Sequence, residues 1–278
     1  MDETQPSGGD PRPRRGGKPV EGQPVINRAF ALLGAFDSGH RVQTLADLAH
    51  RSGIPRSSTL RLARTLVDVG ALERLDDGRY TVGLRLLEIA SLAPRGHGLR
   101  SVAMPFMEDL FQVTRQHVLL AVLDQGEALL VERLSSLDAS PVQYRVGGRL
   151  PLTSTGVGLV LLSFAPPALQ ASVVEDYVPG EGDDTVRSPA DLRRLLAEVR
   201  RGDFVVAHQG RPWQMSTAAA PVRDGGEVVA ALSVVAPRTG FADAGYGPAV
   251  RAAARAVSRQ LSADGRRAAP SGGTEPPG

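Results

Sequence analysis

The segment TLADLAHRSGIPRSSTLRLARTLVDVGALERLDDGRYTV, residues 44–82, carries two helices and a hairpin in its spacing alone. Thr44 with Asp47 three positions on is a weaker form of the capping box that opens a helix. Leu45, Leu48 and Ala49 then recur at helical spacing. Ser52-Gly53-Ile54-Pro55 breaks that helix with a short turn containing glycine, as helix-turn-helix units do. A second helix is expected from about Pro55 to Val69, ended by Gly70. At about 100° per residue, Ser58, Thr59, Leu62, Leu66 and Val69 fall on one side of it. Arg56, Ser57, Leu60, Arg61 and Arg64 fall on the other. Four arginines and no acid lie from Arg51 to Arg64. A buried stripe backed by an arginine face suits the DNA major groove, where arginine forks onto guanine edges or clamps phosphates. Leu72–Leu75 and Arg79–Val82 then read as strands around Asp76-Asp77-Gly78, a hairpin signal. Helix, turn, helix and hairpin make a winged helix-turn-helix.

Outside this segment, bulk properties narrow the class. A chain of 278 residues has room for two domains with sizeable cores. No apolar run approaches the 18 or so residues that span a bilayer, and no secretory h-region opens the chain. There is no cysteine, which excludes disulfides and thiolate metal sites and fits a reducing cytoplasm. The five histidines, His40, His50, His97, His117 and His208, form no metal-ligand spacing, so neither metal nor cofactor is expected. Residues 1–98 hold 14 Lys and Arg against 11 Asp and Glu, whereas residues 99–278 hold 18 against 19. The basic front half fits contact with nucleic acid. Lys18 is the only lysine beside 31 arginines, a bias that belongs to a GC-rich genome, so arginine content alone is discounted.

Organisation along the chain follows from composition and periodicity. Residues 1–23 are Pro, Gly, Arg and acid and are expected to be a disordered tail, as are residues 263–278. The DNA-binding domain then covers 24–83, with a first helix marked by Ile26, Ala29, Phe30, Leu33 and Phe36. Residues 84–97 read as a linker helix, and 98–262 as the second domain. There a helix is expected over about Leu99–Gln116, with Pro105 as a kink or break. Val118–Leu123, Ala128–Leu134, Val142–Val146, Phe204–Ala207, Thr217–Val222 and Val228–Val235 read as strands. Helices are expected over about Thr155–Phe164, from Ser188-Pro189 onward, and over Ala249–Leu261. This is an α+β chain whose second domain is an antiparallel sheet covered by helices.

Five segments in this order resemble the IclR family of bacterial transcription regulators. They are LADLAHRSGIPRSSTLRLARTL, GRYTVGLRLLEIA, RVGGRLPLTSTGVGLVLLS, DLRRLLAEVRRGDF and AAPVRDGGEVVAALSVVAP, and the resemblance spans about residues 25–262. It implies a GAF-like effector domain, a linker helix that often dimerises, dimers that often pair into tetramers, and small organic effectors. Arg61 matches the family's characteristic arginine. Carried over, the effector pocket includes Thr155, Gly156, Thr217 and Ser233, with Trp213 as either a pocket wall or plain core. Read from the residues, a Thr/Gly loop at a helix N-terminus offers N–H groups and a hydroxyl to an anion, or simply caps the helix. Two departures matter. The family usually has Gly-Lys where this chain has Gly158-Leu159, and a Glu-rich stretch, then Gly, then Cys where it has Ala207 to Thr217 without acids. The fold therefore transfers, and the effector does not.

Three functions are weighed. The first is a one-component DNA-binding regulator, repressor or activator, on a double-stranded, palindromic operator. Ser57, Leu60, Arg61 and Arg64 would lie in the major groove, Arg56 on phosphate or base, and Arg74 and Arg79 beside the wing. Thr44, and Ser58 from the apolar side, are counted with them. The second is an enzyme with an appended winged helix, but no GxSxG elbow, GxGxxG, Walker loop or metal cluster is present. The third is a winged-helix protein-interaction module whose C-terminal domain only dimerises.

Overall fold

The computed structural model describes residues 24–37, 39–136, 144–179, 186–209, 214–241 and 243–268. The expected tail at 1–23, Val142, Trp213 and the end of the expected C-terminal tail lie outside these residues. The chain forms two compact units that divide between Ser91 and Leu92.

In the first unit, α1 (Val25–Leu33), α2 (Leu45–Ser52) and α3 (Arg56–Asp68) pack around Leu32, Leu48, Ile54, Leu62, Ala63 and Leu66. Thr44 and Asp47 form a full capping box at the start of α2. Gly53 takes φ 67° at its end, a conformation that glycine reaches without steric cost. The end of α3 is a Schellman motif: Gly70, at φ 74°, donates to the Val67 carbonyl, and Ala71 to that of Leu66. Val69, assigned to the apolar side by periodicity, caps the helix instead and is 59% exposed. Strand β1 (Val42–Gln43) joins the hairpin β2 (Leu72–Arg74) and β3 (Tyr80–Val82) in the order β1-β3-β2. The buried Gln43 amide donates to the Ala35 and His40 carbonyls and so ties down the loop from α1.

The linker is shorter than expected. Helix α4 covers Leu84–Ala90, and Pro94–Gly98 forms a separate π-helical turn. Proline drives its predecessor out of the α region, and Ala93 sits at φ −72°, ψ 114°.

The second unit is a six-stranded antiparallel sheet ordered β6-β5-β4-β9-β8-β7. Its strands are β4 (His117–Asp124), β5 (Glu127–Leu134), β6 (Arg149–Leu150), β7 (Val205–Gln209), β8 (Met215–Asp224) and β9 (Glu227–Pro237). Helices α5 (Leu99–Thr114) and α9 (Asp243–Ala268) cover one face. Helices α6 (Gly156–Ser163), α7 (Pro167–Glu175) and α8 (Pro189–Gly202) cover the other. Alternation divides each central strand between two cores: Val118, Leu120 and Val122 face α5 and α9, and Leu119 and Ala121 face α6.

Three expectations are corrected here. The strand placed at Val142–Val146 is not found over Tyr144–Val146. A turn with Gly147 at φ 75° interrupts the chain; Gly147 and Gly148 exchange backbone hydrogen bonds with Leu130 of β5, and the regular pairing covers Arg149–Leu150. Helix α5 runs continuously over Pro105 and stops at Thr114, because Arg115 adopts a left-handed φ of 55°. Helix α9 continues to Ala268, so residues 263–268 are helical rather than tail.

Candidate nucleic-acid interface and ligand pocket

Thr59 is the anchor of α3. Its hydroxyl bonds to the Ile54 and Pro55 carbonyls at 3.1 and 3.2 Å and fixes the helix against the turn. Thr59, Leu62, Ala63 and Leu66 are buried, which turns Arg56, Ser57, Arg61 and Arg64 outward, with Ser58 and Leu60 half-buried on the flanks. Polar contacts between charged side chains of this unit, among the described residues, are His40–Asp37, Arg51–Asp37, Arg79–Asp77 and Arg85–Glu88. Arg56, Arg61, Arg64 and the wing residue Arg74 enter none of them. Arg61 and Arg64 stand three positions apart on the helix, a spacing at which like charges repel. Such a face costs stability in the free protein and gains it against a polyanion.

Two members of the expected set are already engaged. The Thr44 hydroxyl donates to Asp47 at 2.7 Å and accepts from the Asp47 N–H at 3.2 Å, and these contacts hold the Asp47 carboxyl below the usual carboxylate range. Arg79 is clamped on Asp77 at 2.6–2.7 Å, which lowers the Asp77 carboxyl in the same way.

In the second unit, Thr155, Gly156, Thr217 and Ser233 line one cavity, as expected together. Helix α6 starts directly on β8. A Cβ added to Gly156 would lie 2.6 Å from Thr217 Oγ1, and one on Gly158 would lie 2.3 Å from the Pro151 carbonyl oxygen. Both positions need glycine for that close approach. Thr155 is a cap: its hydroxyl donates to the Pro151 carbonyl at 2.7 Å and accepts from Gly158 N–H at 3.1 Å. Thr217 and Ser233 differ from it. They lie on β8 and β9, facing the same side, and their hydroxyl oxygens are buried without a partner among the described residues. Leaving such a group unpaired costs about 1–3 kcal/mol.

Tyr144, Gln209 and Leu119, which sequence reading missed, and Met215 also line it. The Tyr144 hydroxyl donates to Gln209 Oε1 at 3.2 Å, and burial pushes its pKa above the usual phenol value, so the phenol stays a donor. Arg133 holds the Tyr144 carbonyl at 2.6 Å. Strand alternation places Leu119 beside Ser233, but no local signal brings Tyr144 or Gln209 to this site. The space in which the centre of a water-sized sphere fits is about 20 Å³, room for about one water. Among the described residues, no lining side chain carries a charge. Among the described residues no group of three or more His, Cys, Asp or Glu is placed to hold a metal ion, and no helix is long and apolar enough to cross a membrane.

Comparison with known proteins agrees in both units. The family described as IclR helix-turn-helix domain matches residues 25–76, and Bacterial transcriptional regulator IclR C-terminal matches residues 93–263. The glycerol operon regulatory protein of Streptomyces coelicolor is 30% identical over 246 residues, covering 86% of this chain and 96% of that protein. The acetate operon repressor of Salmonella typhimurium is 26% identical over 235 residues, covering 81% and 84%. The crystal structure of an IclR homolog from Microbacterium hydrocarbonoxydans complexed with 4-hydroxybenzoate is 36% identical, with a TM-score of 0.82 over 86% of this chain and 100% of that one. With a winged helix-turn-helix, an arginine-faced α3 and matches across both units, this chain belongs to the IclR family of bacterial transcriptional regulators and is a DNA-binding regulator of transcription.

Proposed function

We propose that this regulator reads a palindromic operator as a homodimer, or as a pair of homodimers, and that a small organic molecule bound under α6 changes its hold on DNA. The observation that carries the reading is the outward face of α3, where Arg56, Arg61 and Arg64 pair with no acid among the described residues. Arg61 and Arg64, with Ser57 and Leu60, enter the major groove. Arg56 meets phosphate or a base edge, and Arg74 meets the backbone beside the wing. Arg79 joins them only when its pair with Asp77 opens. Exposed Val25, Ile26 and Phe30 on α1, with Leu84 and Leu87 on α4, support a second copy as partner. The protein works by binding rather than catalysis, in the cytoplasm where its DNA lies.

The unpartnered Thr217 and Ser233 hydroxyls support a ligand with an apolar body and a polar end. Walls that are uncharged among the described residues leave an anionic end to these hydroxyls and to the first N–H groups of α6. The relative that binds 4-hydroxybenzoate, a ring with polar ends, fits that chemistry. The cavity must widen to admit such a ligand. Binding of a promoter fragment across a salt series tests the DNA half: affinity should fall steeply with salt, and less steeply in Arg61→Ala/Arg64→Ala. Binding that ignores salt contradicts it.

A further inference from the structure

Asp224-Gly225-Gly226-Glu227 closes the β8–β9 hairpin, with φ 56° and 92° at the two glycines. The register makes Asp224 and Glu227 direct cross-strand partners. Like charges in that position repel, and among the described residues neither takes part in an ion pair. Both line a groove of about 860 Å³, whose walls include Leu99, Val102, Leu161, Phe164, Val229 and Leu261. That volume lies within the range of small-molecule sites. Asp264 also lines the groove, its carboxylate accepting from the Gln260 amide at 3.1 Å. The basic lining residue is Arg95, whose guanidinium donates to the Leu123 carbonyl at 2.6 Å. Among the described lining residues the groove is therefore apolar inside, with the exposed Asp224 and Glu227 carboxylates on one wall. Phe164 already accepts one cation, the Arg223 guanidinium, 4.7 Å from its ring centroid. The groove shares no lining residue with the cavity under α6.

We propose that this groove is a second small-molecule site, for an amphipathic cation whose ammonium group sits between Asp224 and Glu227 and whose apolar body lies along Phe164, Leu99 and Leu261. Its floor includes Pro94, Arg95 and Gly98, part of the π-helical turn at the start of the second unit. A Cβ on Gly98 would meet no atom within 4 Å, and one on Gly96 only Ala93 Cβ at 3.8 Å, so packing does not require glycine at either place. What glycine gives there is backbone freedom, which a ligand packed against the turn reduces.

The test uses the full chain with labelled Leu and Val methyl groups, titrated with phenethylamine, phenethyl alcohol and phenylacetate. The amine should shift the Leu99, Val229 and Leu261 methyls saturably at millimolar concentration, and the alcohol and acid should not. Asp224→Asn/Glu227→Gln should weaken the amine about three- to tenfold, the range that two partly exposed ion pairs give. Without ligand the same variant should unfold at a higher temperature, because the like-charge pair is gone. Three results overturn the proposal: no saturable shift with the amine, equal binding by the double variant, or shifts confined to Leu119, Leu150 and Val235 around the other cavity.

Discussion

Helices α3 and α6 are the central helices of their units, and they are built on opposite rules. Helix α3 buries one side, through Thr59, Leu62, Ala63 and Leu66, and leaves a charged side that pairs with no acid among the described residues. All eight residues of α6 are buried, so it has no outer side. Its chemistry sits at one end, where Thr155 caps it and Gly156 lets it touch β8. A surface that waits for a macromolecule shows as periodicity along one segment. A cavity that takes a small molecule is assembled from strands and loops far apart in the chain, and periodicity is blind to it.

The contrast can be broken by substitution. The largest effect is expected inside the first unit: Leu62→Ala should cost about 2–5 kcal/mol of that unit's stability and remove DNA binding with it. Denaturant unfolding followed by probes in each unit checks this, and the second unit should be unchanged. On the outer side of the same helix, Arg64→Ala should leave stability alone and cost about 1–3 kcal/mol of operator affinity, with preference relaxed at one base pair. Equal weakening on every sequence would make Arg64 a phosphate contact only.

The pocket should behave in the opposite sense. Thr217→Val removes an unpaired buried hydroxyl while keeping its shape, so the protein should gain about 1 kcal/mol and lose its response to effector. Thermal unfolding and effector-dependent DNA binding, measured on one preparation, separate the two. The smallest effect concerns the capping box. The folded Asp47 carboxyl lies below its usual value, so its contribution is present above the unfolded value and is lost as pH falls through the lowered one. Wild type should lose stability in the first unit below about pH 4. Thr44→Val, without the hydroxyl, should show a flatter pH dependence in urea unfolding.

Much of this was legible in the chain. Local signals sufficed for the helix-turn-helix: a capping box at Thr44, a turn at Gly53, a stop at Gly70 and an Asp-Gly hairpin at the wing. Strand positions in the second unit followed from apolar runs with glycine between them. The errors fell where a single backbone angle decides the outcome. Gly147 turned an expected strand into a short pairing, and Arg115 in a left-handed conformation ended α5 early. The linker was cut by the effect of Pro94 on Ala93. Thr217 and Ser233 were found through resemblance, whereas Tyr144 and Gln209 could not be, since only the folded chain brings them together. Equally, no sequence pattern could say that Arg79 pairs with Asp77 while Arg74 pairs with no acid among the described residues.

The most direct test of the central claim, that the outer side of α3 reads DNA, is selection of genomic fragments by the purified full-length protein, followed by sequencing of what it holds. One enriched motif with two-fold symmetry is expected, its half-sites about one helical turn or a multiple of it apart, and Arg61→Ala/Arg64→Ala should lose that motif. No enrichment at low salt, or the same motif from the double variant, would contradict it.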